Sequence, residues 1–256
     1  MLKRILMAAA ALAAAAPAAA QAPVSEAELR SAVAAPGRPE ASTALDEVRR
    51  PAEVLRFLGL RRGDRVLDYF AGTGYYADIM ARAVGPRGVV VGWNSAAFGR
   101  NERVRNALTE IDGRNLNFGF YATPVTALSF PPESFDFVML HLVYHDAYWE
   151  SAQFQLARID PNTVVRAIWD ATKPGGIVAV IDHVAAPGGD TRAVVEAVHR
   201  IDPAVVRADF ERAGFVLEAQ SDLLRNPQDN YAVNVFDPAI RGSTDRIVYR
   251  FRKPRR

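Results

Sequence analysis

The sequence contains no cysteine. That absence excludes disulfides, thiolate metal ligands and the lipidated cysteine of a lipoprotein, and it leaves the redox character of the compartment open. Long apolar runs are missing too, apart from Ile5 to Ala16, which follows Lys3 and Arg4 and precedes Pro17 and Ala18-Ala19-Ala20. That run falls short of the roughly 18 to 20 residues that span a bilayer. With its basic start and small-residue end it reads as a signal peptide over residues 1–20. The chain is therefore expected to be exported, periplasmic or secreted, to start near Gln21 after processing, and not to insert in a membrane after cleavage. Net charge is scarce as well: the formal +2 disappears with Lys3 and Arg4. Nothing here argues for nucleic acid, and the basic end from Arg250 to Arg256 reads as a solvated tail. No residue pattern speaks to oligomeric state.

Residues 21–42 are rich in Ala, Pro and small polar side chains and are expected to form a flexible N-terminal arm. A single domain is expected over 43–256, long enough to bury a core. Apolar residues at helical spacing over 44–60 predict two short helices, with Pro51 in the first turn of the second. Strands and helices then alternate: strand 64–69, helix 74–84, strand 88–93, helix 97–110, a weaker strand 115–121, strand 135–142, helix 161–172 and strand 177–182. Such alternation with continuous apolar strands implies a parallel sheet covered on both faces. Asp202-Pro203 opens a further helix that Gly214 closes. Two β-rich segments follow, 215–224 and 246–253, joined by a long polar connection. They are expected to pair antiparallel at one edge of the sheet. The predicted class is α/β, a Rossmann-like doubly wound, mostly parallel sheet with an antiparallel C-terminal edge strand.

The densest motif is Val66-Leu67-Asp68-Tyr69-Phe70-Ala71-Gly72-Thr73-Gly74-Tyr75-Tyr76. A buried strand runs into a glycine turn and then a helix, a place where backbone N–H groups and a helix N-terminus face a ligand. Taken alone the two glycines fit a nucleotide cradle or simply a tight turn. Nucleoside-binding sheets of this kind carry an acid at the end of the second strand, and here that strand ends Val91-Gly92-Trp93-Asn94. Asn94 offers a ribose hydrogen bonds without charge.

Two further phrases separate the possibilities. These are Leu128-Ser129-Phe130-Pro131-Pro132-Glu133-Ser134-Phe135-Asp136-Phe137-Val138 and Lys173-Pro174-Gly175-Gly176-Ile177-Val178-Ala179-Val180. In order after the glycine turn, they make residues 44 to 253 resemble the class I S-adenosylmethionine-dependent methyltransferases. The resemblance implies that fold, S-adenosyl-L-methionine as cofactor, and a cofactor site at Asp68, Tyr69, Ala71, Gly72, Thr73, Gly74, Tyr75 and Asn94. The chain departs from the family where Phe70 replaces the first of three glycines, and no acid lies between Asn115 and Pro132 to meet the adenine amino group. A narrower resemblance is to a branch of exported predicted methyltransferases. It rests on Gly72-Thr73-Gly74-Tyr75-Tyr76, Tyr144-His145-Asp146, Asp182-His183, His199-Arg200-Ile201-Asp202, Asn226-Pro227, Arg241-Gly242 and Thr244-Asp245. Within it, Arg241 is expected to pin the late loop through Asp245.

All four histidines fall between positions 141 and 199. In an open α/β sheet the ligand crevice lies outside the carboxyl ends of the strands. The candidates there are His145 as base, Asp146 or Asp182 as its orienting acid, Tyr144 as donor or lid, and His183. Imidazole titrates nearest neutrality and needs the smallest shift to act as a base. The plainer readings are a helix start at His145-Asp146 and a satisfied histidine at a strand end for His183. A metal set of His145, His183, Asp182 and His199 has no close ligand spacing behind it, so no metal ligand is expected. The partner is a small-molecule acceptor whose identity the residues do not give. The alternatives are a binding or sensing protein that keeps the fold without transfer, and a dehydrogenase, which the downstream phrases disfavour.

Overall fold

The computed structural model describes residues 21–255, so the expected signal peptide lies outside the described residues. The segment expected to be a flexible arm is instead tied down. Helix α1 (Glu26–Val33) opens on a Ser25–Glu28 capping box, and Val24, Leu29 and Ala32 are buried in the main apolar cluster. The backbone of Val24 also donates to Leu60 O at 3.0 Å. Helices α2 (Glu40–Thr43), α3 (Asp46–Arg49) and α4 (Pro51–Leu58) follow, and Pro51 takes the first turn of α4 where its missing N–H costs nothing.

The alternating region then runs β1 (Arg65–Tyr69), α5 (Tyr75–Val84), β2 (Val89–Ser95), α6 (Ala96–Arg100), α7 (Glu102–Arg114), β3 (Phe118–Thr123), β4 (Phe135–His141), α8 (Pro161–Ala171) and β5 (Thr172–His183). The helix predicted over 97–110 is two helices, because Asn101 leaves the helical region and caps α7 by accepting from Val104 N. Helix α9 (Thr191–Val198) has no counterpart in the predicted elements; α10 (Pro203–Arg212), β6 (Val216–Ser221) and β7 (Arg246–Arg252) complete the chain.

The sheet order is β3-β2-β1-β4-β5-β7-β6. Strands β1 to β5 pair in parallel, and β7 is antiparallel to both β5 and β6. The expected doubly wound, mostly parallel sheet is present; the antiparallel strand expected at the edge lies one place inside it, and β6 is the edge. One face of the sheet packs on α1, α4 and α5 through Leu29, Leu55 and Met80. The other packs on α8 and α10 through Val164, Ile168 and Phe210. Strand order reverses between β1 and β4, and that reversal opens a crevice at their carboxyl ends.

The polar connection between β6 and β7 is held by two ion pairs, one buried and one half-exposed. Arg200, fully buried, binds Asp229 at 2.7 and 3.0 Å. Asp245 is held by Arg225 at 2.7 and 2.9 Å, which replaces the expected Arg241–Asp245 pair. Asp245 also accepts from Asn226 N and from the Tyr231 hydroxyl. The loop above the crevice is thus anchored rather than loose.

Candidate functional site

The two glycines of the β1–α5 turn do different work. Both have positive φ, 58° at Gly72 and 82° at Gly74. A Cβ on Gly74 would stand 2.4 Å from the Ile111 side chain, so that glycine serves helix packing. A Cβ on Gly72 would meet nothing within 4 Å. Open space over backbone is what a cofactor loop needs.

Several of the predicted cofactor residues turn out to be engaged within the protein. Asn94 accepts from Gly72 N at 2.9 Å and donates to Gly72 O at 3.1 Å, so its buried amide fastens the turn. Tyr69 stacks on Trp93 with ring centroids 4.9 Å apart. Tyr75 donates its hydroxyl to Asp46 at 2.7 Å beneath the guanidinium of Arg49. Ala71 N donates to Trp93 O, while Thr73 is exposed at the tip. Asp68 is buried behind the turn, and burial, opposed only by a backbone hydrogen bond from Ala77, pushes its carboxyl up to about 7. Phe70 has φ 58° and sets its ring edge-on to Trp93 and Phe98.

At the end of β4 the chain makes one 3-10 turn, Tyr144–Tyr148. Adjacent side chains leave it in opposite directions. Tyr144 points into the core and donates to Asp209 at 2.6 Å, fully buried, so it neither covers a ligand nor donates to one. His145 points to the crevice. Asp182, at the end of β5, receives its Nδ1–H at 2.7 Å and its backbone N–H at 2.9 Å. Of the two proposed orienting acids, Asp182 is the one that holds the ring; Asp146 lies 3.4 Å from the opposite nitrogen, Nε2.

Electrostatics follow from that placement. Burial alone would lower the His145 pKa, but the Asp182 and Asp146 carboxylates outweigh it and raise the ring to about 9. At neutral pH the imidazole therefore carries a proton, unlike the ready base inferred from the sequence. Burial pushes His183 down to about 3, and its Nδ1 meets the Thr244 hydroxyl at 2.7 Å. It is a neutral residue of the cavity floor.

A cavity of about 450 Å³ opens above these groups. Its floor is His145, Asp146, His183 and His199, its walls are mostly apolar with Trp149, Phe98 and Phe236, and Arg49, Arg241 and Arg246 supply cationic edges. None of residues 68–75 lines it. A second cavity, about 20 Å³, lies against Tyr69 and Phe70 and shares Asp146 and Trp149 with the first. Sequence reasoning gave no role to Trp149, Phe236 or Arg241 at this site. His199 figures in the sequence only in the narrower resemblance and in a disfavoured metal set, yet its Nδ1 comes within 3.9 Å of Asp146 Oδ1.

Residues 60–240 match the methyltransferase domain family. A demethylmenaquinone methyltransferase of Geobacillus kaustophilus is 30% identical over 132 residues, covering 51% of this chain and 50% of that protein. The enzyme of the same name from Listeria monocytogenes serotype 4a is 30% identical over 133 residues, covering 51% and 49%. The chain thus spans about half the length of these curated relatives. Among solved structures, a SAM-dependent methyltransferase of Aquifex aeolicus superposes with TM-score 0.56 at 18% identity, covering 84% of this chain and 98% of that one. The cyclase SpnF superposes with TM-score 0.55 at 17% identity, covering 88% and 85%. These likenesses carry the fold, which hosts more than one chemistry.

Proposed function

The chain belongs to the methyltransferase domain family, and on that premise we propose that it is an exported S-adenosylmethionine-dependent methyltransferase whose small-molecule acceptor occupies the histidine-floored cavity. The observation that carries this reading is the family match over residues 60–240, which takes in both the glycine turn and the cavity floor. Export, to a periplasm or beyond, is supported by the N-terminal sequence pattern of residues 1–20.

The turn fits the cofactor on its open side, where the space above Gly72 is clear and Asp68 lies buried behind it, while the Phe70 ring narrows the adjoining cavity to about 20 Å³. The exposed backbone of Thr73, at the tip of the turn, would hold it. When bound, it supplies a methyl group on a sulfonium centre, already activated for transfer. The protein's own part is then chiefly to hold an acceptor in line, and orientation of this kind carries most of the rate in such reactions. Trp149, Phe98 and Phe236 offer an apolar slot for a ring, and Arg49 and Arg241 favour an acceptor with an anionic or ionisable oxygen. Relatives named for demethylmenaquinone are in keeping with a ring-bearing acceptor. Asp182 fixes the His145 ring so that Nε2 faces that slot.

A second reading, a ligand-binding or sensing protein of methyltransferase fold, is favoured by Phe70 and by the buried Asn94 amide held against Gly72. Calorimetry of the purified protein with S-adenosylmethionine and its demethylated product tests both. Saturable binding is the expected result, and no heat at millimolar nucleoside would sink the transferase reading. His145→Ala separates the two: a transferase loses turnover and keeps the cofactor, whereas a sensor has no turnover to lose.

A further inference from the structure

At the cavity floor three donors converge from two segments distant in sequence. His145 and Asp146 come from the turn after β4, and His199 from the residue that ends α9. One donor atom from each lies within 4.8 Å of the other two. Asp146 Oδ1 is 3.4 Å from His145 Nε2 and 3.9 Å from His199 Nδ1. Two imidazoles and a carboxylate are the donor set that suits zinc or iron.

Two further observations point to a ligand rather than to a closed polar cluster. His199 is 8% exposed, and its Nδ1 is buried without a hydrogen-bond partner among the described residues. A buried ring nitrogen left unpaired costs roughly 1 to 3 kcal/mol unless something else satisfies it. On the other side, Asp182 takes the Nδ1–H of His145 at 2.7 Å. That contact orients the ring with Nε2 toward the cavity, where a bound cation would take the place of the Nε2 proton, the carboxylate–histidine arrangement found behind metal ligands.

We propose that His145 Nε2, Asp146 Oδ1 and His199 Nδ1 bind a divalent first-row metal ion at the cavity floor, with Asp182 as the positioning residue behind His145. The inference is independent of methyl transfer. Donors around a tetrahedral zinc ion stand about 3.4 Å apart, so the His145–Asp146 separation is already in place. The His199 ring has to close by on the order of 1 Å. Trp149 and Phe236 flank that ring at 4.6 and 5.0 Å and leave it the metal side. With three protein ligands, the remaining coordination position faces the cavity, the form of a catalytic rather than a structural site. It would take an oxygen donor from the bound small molecule.

The test is titration of Zn²⁺ into chelator-stripped protein by calorimetry. One equivalent with micromolar or tighter affinity is expected. His199→Ala and Asp146→Asn should each weaken it at least about 100-fold, and Asp182→Asn about 10- to 100-fold, as loss of an orienting partner does. Circular dichroism checks that each variant is folded. Should variants not fold, Co²⁺ added to the unaltered protein gives the same decision, since intense visible bands mark a site of low coordination number. Affinity weaker than millimolar, equal affinity in His199→Ala, or a Co²⁺ spectrum like that of the free ion would each overturn the proposal.

Discussion

Phe70 adopts a left-handed backbone where the related cofactor loops carry glycine, and its ring packs against Trp93 and Phe98 beside a cavity of only about 20 Å³. A nucleoside needs far more room than that, since ligand pockets run from about 300 Å³ upward. Phe70→Gly relieves the backbone, which costs an L-residue roughly 1 to 2 kcal/mol, and opens the space. The expected outcome is about tenfold tighter S-adenosylmethionine binding by calorimetry, about 1.4 kcal/mol; weaker binding would show that the ring itself contacts the ligand. Tyr144→Phe makes the opposite kind of prediction. It should leave turnover unchanged while lowering stability to urea by about 1 to 3 kcal/mol, because Asp209 loses a buried donor. The sequence could not separate Tyr144 from His145, since both follow the same strand. One 3-10 turn sends one inward and the other to the crevice. His145 and Asp182 were legible because a polar residue at the carboxyl end of a buried strand faces the crevice in this topology. Pairing His199 with Asp146 was not, as it depends on a tertiary contact between segments more than fifty positions apart.

At the scale of elements, the alternation of β1 to β5 with helices was readable because apolar runs bounded by glycine and proline have few other uses. Helix α9 was not, because Thr191, Val194, Val195 and Val198 are β-branched and stiff in a helix. Tertiary contact decides it, with Val195 fully buried. Helix α1 was hidden differently: its alanines suggested a loose segment, although Ser25 and Glu28 carried the capping-box signature. The turn from α4 into β1 offers a pH prediction. Asp64 accepts from Arg61 N at 2.8 Å, and burial raises its carboxyl from 3.8 to about 7. Between those values the folded chain holds a proton that the unfolded chain releases, so this group's contribution to stability falls as pH rises through the window. Asp64→Asn keeps the acceptor and removes the ionisation. Its denaturant midpoint relative to the parent should therefore rise more at about pH 8 than at about pH 4, and a pH-independent difference would contradict the argument.

For the whole molecule, the N-terminal segment acts as part of one face of the core. Arg38 clamps Asp46 at 2.6 and 2.8 Å, and Asp46 in turn receives the Tyr75 hydroxyl at the start of α5. Leu29 is fully buried in the same cluster as Leu55 and Leu58. Leu29→Ala should lower global stability by about 2 to 5 kcal/mol in a urea titration, as buried leucine truncations do; a change below about 0.5 kcal/mol would return the segment to the status of a loose arm. At the far end of the chain, β7 is wedged between β5 and β6. Strand β6 pairs with nothing else in the sheet, and Phe251 near the last residues is fully buried. Removal of β7 would therefore bare the β5 edge and detach β6 with it, so two strands and the buried Phe251 stand or fall together.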